Sequence, residues 1–196
     1  MTDPLTGLPN RRAAQDAFAR EVARAAREES TLCLALLDFD DFKAYNDTHG
    51  HLAGDQLLRE SAHAWGRAVR RGDHLARIGG DEFAVLLPRC SPAQAQSLMA
   101  RLAATTSVGV SWGVTDYRPA EPPDEAWARA DRMLYDHKAT CRRKCSRCNV
   151  SVLTPDAGGQ GCPACGAPLQ RAHRGEEGRA RHERVWPRPA GTPRTA

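Results

Sequence analysis

The sequence predicts an α+β chain. Its main unit is a split βαβ, ferredoxin-like sheet (βαββαβ) with flanking helices, and a small four-cysteine module and a basic tail follow it. Three observations carry this. Apolar residues at steps of three and four alternate with short apolar runs, in the order α, β, α, β-hairpin, α, β, α, which one helix-covered sheet accounts for. The stretch "RIGGDEFAVLL", 77–87, places Gly79–Gly80 between two apolar runs, as in a tight hairpin. Two C-x₂-C pairs, Cys145/Cys148 and Cys162/Cys165, stand thirteen residues apart after the last helical pattern.

Residues 9–28 read as an Ala-rich amphipathic helix, with Ala14, Phe18, Val22 and Ala25 on one face. "TLCLALL", 31–37, is an apolar run bounded by charge and reads as a buried strand. It gives way to "DFDDFKAYNDTHGHLAGD", 38–55, polar and rich in ligand-type side chains. Leu58, Ala62, Trp65 and Val69 then define a second helix. The hairpin occupies about 75–87. Ser91–Pro92 starts a helix over 91–104, with Pro in its first turn and Ala95, Leu98, Met99 and Leu102 inward. "TSVGVSWGV", 106–114, reads as a strand, "AEPPDE", 120–125, as a Pro-rich loop, and Ala126–Lys138 as a last helix with Trp127, Ala130 and Leu134 buried.

The chain has 196 residues, 41% hydrophobic, enough for one sizeable core and an appendage. Its net charge of +4 resides in the segment from Gly166, which holds seven Arg and three Glu; the rest balances. A basic tail suits nucleic acid or an acidic surface, or is a solvated end, and 170–196 lack periodicity and read as disordered. No apolar run reaches membrane-spanning length and no signal-peptide pattern opens the sequence, so a cytoplasmic protein is expected. Seven Cys in such a chain point to thiols or a metal rather than disulfides.

The acids have a reason of their own. A turn needs no paired carboxylates, yet Asp81 and Glu82 repel each other and lose solvation at a core edge. Asp38 falls where the first strand ends, and in a βαββ sheet neighbouring strand ends bring such acids together. Facing carboxylates at a strand edge suit Mg²⁺, which takes oxygen ligands and shares them with phosphates, and two such ions clamp an in-line phosphoryl displacement. The plainer alternatives are a polar hairpin tip, and Asp38 or Asp40 as the cap of the following helix. Metal suits Asp38 better; a cap suits Asp40.

"DPLTGLPNRR" (3–12), "DFDDFKAYNDTHGHLAGD" (38–55), "RIGGDEF" (77–83) and "RADRMLYDHK" (129–138) resemble, in order and spacing, the GGDEF domain of diguanylate cyclases, over about residues 1–142. The resemblance implies a nucleotidyl cyclase (palm-type) fold. It also implies condensation of two GTP into cyclic di-GMP and two pyrophosphates with Mg²⁺ or Mn²⁺, one GTP in each of two facing domains of a homodimer. By similarity Asp38, Asp81 and the Phe39 carbonyl hold the metals. Asp81 is the base toward the 3′-hydroxyl, with Glu82 beside it in a less settled role. Asn46 and Asp55 match guanine readers; a carboxylate accepts from guanine N1–H and N2–H₂, a donor pair adenine lacks. His51 matches a position near the nucleotide, Lys138 and Arg142 match triphosphate contacts, and Lys43 is a weaker phosphate candidate. Lys138 and Arg142 share a face if the helix continues that far.

"RRGD", 70–73, stands five residues before GGDEF, the spacing of the family's product-inhibition motif. Arg70 would fork onto a product phosphate or guanine and Asp73 would accept from guanine. Three departures concern regulation and dimer geometry. The sequence opens almost on "DPLTGLPN", without the helix that usually precedes it; Cys141 stands where Gly is usual; and the segment between the 91–104 helix and the next strand is short.

Cys145, Cys148, Cys162 and Cys165 suit a structural, tetrahedral Zn²⁺ in a Cys₄ zinc ribbon over 143–169; Cys33, Cys90 and Cys141 read as buried or incidental thiols. Zinc ribbons commonly bind protein or nucleic acid, and this one is expected to supply an oligomer contact or input. Two further readings fit part of the chain: a cyclic di-GMP receptor using Arg70 and Asp73 without synthesis, and a nucleic-acid-binding regulator acting through ribbon and tail.

Overall fold

The computed structural model describes residues 1–119, 121–145, 151–153 and 169–171, with side-chain surroundings up to residue 139. Helix α1 (Arg11–Glu28) precedes β1 (Leu32–Phe39), α2 (Phe42–His49), α3 (His51–Ala68), β2 (His74–Arg77), β3 (Glu82–Pro88), α4 (Pro92–Ala103), β4 (Val110–Asp116) and α5 (Pro123–Cys141). The strands form one antiparallel sheet in the order β2-β3-β1-β4, the split βαβ arrangement. All eight residues of β1 are buried, because it is a central strand with helices on both faces.

Alternation along the strands sorts the core into two halves. Cys33, Ala35, Leu37 and Phe39 of β1, with Phe83, Val85 and Leu87 of β3, pack with Leu58 and Trp65 of α3 and Met99 and Leu102 of α4. Leu32, Leu34 and Leu36, with Ala84 and Leu86, pack with Phe18 of α1 and Trp127, Ala130 and Leu134 of α5. A Cβ on Gly113 would lie 2.2 Å from both Ala130 O and Leu134 N, so α5 crosses β4 at backbone contact. Arg129 of α5 donates to Asp116 Oδ1 at the end of β4 (3.4 Å) and to Glu121 Oε1 in the following loop (2.6 Å).

Four boundaries differ from the sequence expectation. The polar 38–55 stretch contains α2, whose Phe42 and Tyr45 rings stack at 6.5 Å, and α3 starts at His51, ahead of its apolar steps. β4 spans 110–116 instead of 106–114. The Thr105 and Thr106 hydroxyls before it donate to Leu102 O (2.7 Å) and Ala103 O (2.9 Å), so these residues terminate α4. α5 begins at Pro123, since Pro fits a first helical turn, and runs through Cys141. Gly79 and Gly80 are not in the left-handed region; Gly7 and Gly50 are.

The chain then continues into β5 (Arg142–Cys145), β6 (Ser151–Leu153) and β7 (Leu169–Arg171), a second antiparallel sheet in the order β6-β5-β7. Among the described residues no helix is long and apolar enough to cross a membrane.

Candidate active site

The acids of the hairpin and of β1 meet by strand register. Asp38 pairs directly with Glu82, and the Phe39 N–H donates to Asp81 O at 3.3 Å. Asp38 continues the parity of Leu34 and Leu36, and Glu82 that of Ala84 and Leu86. Both therefore emerge on the face covered by α1 and α5. Each helix supplies a cation. Lys138 Nζ of α5 lies 2.5 Å from Asp38 Oδ1, and Arg11 Nη2 of α1 lies 3.6 Å from Glu82 Oε2.

Burial pushes the Asp38 carboxyl up to about 7; Lys138 opposes this and the Asp81 charge reinforces it. Burial, then Asp81, likewise raises Glu82 above the ordinary carboxylate range against the pull of Arg11. This is an anionic cluster in which Lys138 and Arg11 do not offset burial and mutual repulsion. Among the described residues no three Asp, Glu, His or Cys side chains form a cage by themselves. Asp38 and Glu82, with Asp81 next to Glu82 in the chain, offer carboxylate oxygens. That suits a hard divalent cation which fills its shell with phosphate oxygens and water, and the Lys138 ammonium marks where positive charge is favourable.

The hairpin is braced from the N-terminal turn. Asp3 and Leu8 close that turn (Asp3 N to Leu8 O, 2.7 Å). Arg77 Nη1 donates to Asp3 Oδ1 and Oδ2 at 2.9 and 3.1 Å, while its Nη2 donates to Gly80 O at 2.7 Å. Arg11 Nε donates to Ile78 O at 2.8 Å. A Cβ on Gly79 would lie 2.3 Å from Glu82 Oε2, so the glycine leaves room for the carboxylate. The sequence reading assigned no role to Asp3, Arg11 or Arg77. The available signal was an Arg beside two glycines whose carbonyls a guanidinium can reach.

The β1–α2 turn lies beside this edge. Asp40 was expected to cap α2, but the cap position falls on Asp41, in a left-handed conformation (φ 50°) with no side-chain cap bond. Asp40 instead accepts from Ser111 Oγ at 2.8 Å, and its N–H donates to Gly109 O at 2.8 Å. Ser111 pairs with Asp38 across β1–β4, so one residue borders both acids. Lys43 is exposed. On the α2–α3 pair, Asn46 Oδ1 is buried without a hydrogen-bond partner, where a Cβ on Gly54 would lie 1.8 Å away. His51 opens α3 and is exposed. Asp55 is half-exposed, 3.9 Å from Arg59.

Arg70 and Asp73 hold each other: Arg70 Nε donates to Asp73 Oδ1 at 2.9 Å and Arg70 N to Oδ2 at 3.1 Å, and Arg70 Nη2 reaches the Pro88 carbonyl. The α5 helix stops at Cys141, so Arg142 begins β5 instead of sharing a helical face with Lys138. Cys33 and Cys90 are buried free thiols, with burial pushing Cys33 up to about 12. Cys145 ends β5; Cys148, Cys162 and Cys165 lie outside the described residues.

Comparisons with known proteins agree with this geometry. The family described as "Diguanylate cyclase, GGDEF domain" matches residues 1–144. Diguanylate cyclase DgcP of Pseudomonas aeruginosa is 41% identical over 154 residues, 72% of this chain and 23% of that protein. Diguanylate cyclase DgcZ of Escherichia coli is 37% identical over 155 residues, 73% of this chain and 52% of that protein. The chain thus spans about a quarter to a half of the length of these relatives. The crystal structure of the GGDEF domain of DgcB from Caulobacter crescentus in complex with c-di-GMP superposes with a TM-score of 0.67 at 35% identity, covering 70% of this chain and 86% of that one. With the family's sequence match, the antiparallel sheet and the acids paired at the GGDEF hairpin in agreement, this chain belongs to the diguanylate cyclase GGDEF-domain family.

Proposed function

We propose that this chain is a diguanylate cyclase, joining two GTP into cyclic di-GMP with release of two pyrophosphates. The observation that carries the reading is the register pairing of Asp38 with Glu82, which puts a buried, undercompensated carboxylate beside Asp81. Asp38, Asp81 and the Phe39 carbonyl are the ligands for Mg²⁺ or Mn²⁺. The bound ions would neutralise phosphate charge and polarise the α-phosphate.

The chain's own groups do the rest. Asp81 accepts the 3′-hydroxyl proton, the freed oxygen attacks the α-phosphorus of the GTP held by the facing domain, and pyrophosphate leaves. Glu82, held by Arg11, stands beside Asp81 at this centre. Asp55 accepts from guanine N1–H and N2–H₂, and the orphaned Asn46 Oδ1 is an acceptor that a guanine donor would satisfy. His51 at the start of α3 borders the base; Lys43, Lys138 and Arg142 meet the triphosphate. The two half-reactions need a homodimer with the sites face to face. Arg70 and Asp73 form the product-inhibition site once their mutual pair opens onto cyclic di-GMP.

Cys145, Cys148, Cys162 and Cys165 hold a structural Zn²⁺ as a ribbon. Supporting this, Cys145 and Leu169 are register partners, so the chain leaves β5 and enters β7 at one end of the sheet, and the two Cys pairs adjoin those points in sequence. Metal analysis of the purified chain is expected to find one zinc per chain. The ribbon and the Arg-rich tail offer a surface for a protein or nucleic-acid partner, and the chain works in the cytoplasm.

The test is purified protein with GTP and Mg²⁺, products read by mass spectrometry, beside Asp81→Ala. Cyclic di-GMP made by the parent and lost in the variant is the expected result. A folded parent that makes none overturns the reading.

A further inference from the structure

We propose that Lys138 makes this site select a metal–nucleotide complex over a bare divalent cation, by occupying the Asp38 carboxylate until a phosphate draws the ammonium away. The inference rests on the reading of Asp38 as a metal ligand. Lys138 Nζ is 2.5 Å from Asp38 Oδ1, in the position a cation on that carboxylate would take. The Asp38 side chain is 12% exposed and that of Lys138 32%, so the acid is the more enclosed partner and the lysine side chain is the one with access to water. The pairing is set by the fold. Leu134, one turn earlier on α5, is anchored against β4 where Gly113 admits the helix backbone, and Lys138 repeats its face at the end of β1.

The consequence follows from charge balance. A bare divalent cation reaching Asp38 must expel the ammonium, which leaves with no new partner, so metal binding is opposed by the lost ion pair. Nucleotide without metal would pull Lys138 to the phosphates and strand a buried carboxylate, which is also costly. Together they exchange partners: the metal replaces the ammonium on Asp38, and a phosphate replaces Asp38 on the ammonium. Metal and nucleotide then bind with positive, reciprocal coupling, to which this side chain adds its own share beyond direct phosphate–metal contact.

Two measurements on the full-length chain test this, neither needing turnover. In the first, metal-free protein is briefly labelled with a lysine-acylating reagent and read peptide by peptide. Asp38→Asn is expected to raise labelling of Lys138 several-fold while the exposed Lys43 is unchanged. In the second, Mn²⁺ binding is followed by electron paramagnetic resonance with and without a non-hydrolysable GTP analogue. Lys138→Met is expected to tighten bare Mn²⁺ by about tenfold, within the usual span of coupling between two sites, and to shrink by a similar factor the extra affinity that the analogue gives the parent, leaving the part due to phosphate oxygens on the metal. Equal Lys138 labelling in parent and Asp38→Asn, or unchanged Mn²⁺ affinities in Lys138→Met, overturns the proposal. Failure of the cyclase reading appears separately, as absence of cyclic di-GMP.

Discussion

Two carboxylates at one end of the sheet, Asp3 and Asp38, have opposite fates. Each pairs with a cation contributed by a distant part of the chain. Burial raises both, but Asp3 also accepts from the Thr6 hydroxyl and N–H and from the Arg77 guanidinium, and these bonds bring its carboxyl below the ordinary value. Asp38 has the Lys138 ammonium and, against it, Asp81 and Glu82, and its carboxyl rises to about 7. Asp3 is a satisfied group that fixes the hairpin to the N-terminal turn. Asp38 is a group the fold leaves short of positive charge, at a cost to stability, which is the signature of a ligand-binding residue.

The largest expected effect breaks the Asp38 side of this contrast. Asp38→Asn is expected to lower cyclic di-GMP synthesis by about a thousandfold or more, a loss of several kcal/mol of transition-state stabilisation. The same change removes a carboxyl whose ionisation the fold opposes and leaves Lys138 a third exposed, so at pH 8 the metal-free fold is expected to be more stable than the parent's. A thermal melt showing Asp38→Asn less stable than the parent would refute this. Asp3→Ala should act in the opposite sense, costing about 2–3 kcal/mol through the lost Arg77 ion pair and Thr6 hydrogen bonds and lowering the melting temperature by about 5–10 °C.

A pH series sharpens the same comparison. The Asp38 carboxyl holds its proton more tightly folded than unfolded, so its contribution to stability falls as pH rises from the model-peptide value of 3.8 to about 7. Asp3 holds its proton less tightly folded, so its contribution is present above its ordinary value of 3.8 and is lost as pH falls below it. Between pH 5 and 7, denaturant unfolding of the metal-free chain should weaken with pH in the parent and show a flatter profile in Asp38→Asn. The smallest stability effect is expected at Arg70. It is 58% exposed, so Arg70→Ala should cost under about 1 kcal/mol. Its readout is function: progress curves that no longer slow as cyclic di-GMP accumulates, against curves unchanged from the parent if Arg70 has no part in inhibition.

The site was legible where it is local. An apolar run ending on Asp38, and a hairpin bearing Asp81 and Glu82, are patterns within a few residues, and strand pairing supplies the rest. What lay hidden is non-local or masked by composition. Asp3 and Arg77 are 74 residues apart, as polar as their neighbours, and nothing in sequence joins them. Ser111 in a small-residue strand gives no sign that it will hold Asp40. The α2 helix escaped notice because two aromatic rings carry its packing in an otherwise polar stretch. The shared helical face for Lys138 and Arg142 failed because β5 begins where the α5 pattern could have run on.

By itself the sequence determined the order of the four sheet strands and of the helices other than α2, a helix-covered ferredoxin-like sheet, the family motifs and the identity of the acids, because helix and strand periodicities and turn chemistry are short-range. Only the tertiary structure decided which cation faces which acid. The register of β1 against β3 places Asp38 opposite Glu82, and the close approach of α5 at Gly113 brings Lys138 to Asp38. Register and helix placement are set by packing between segments far apart in the chain. The charge environment that makes an aspartate a brace or a binding group is set with them.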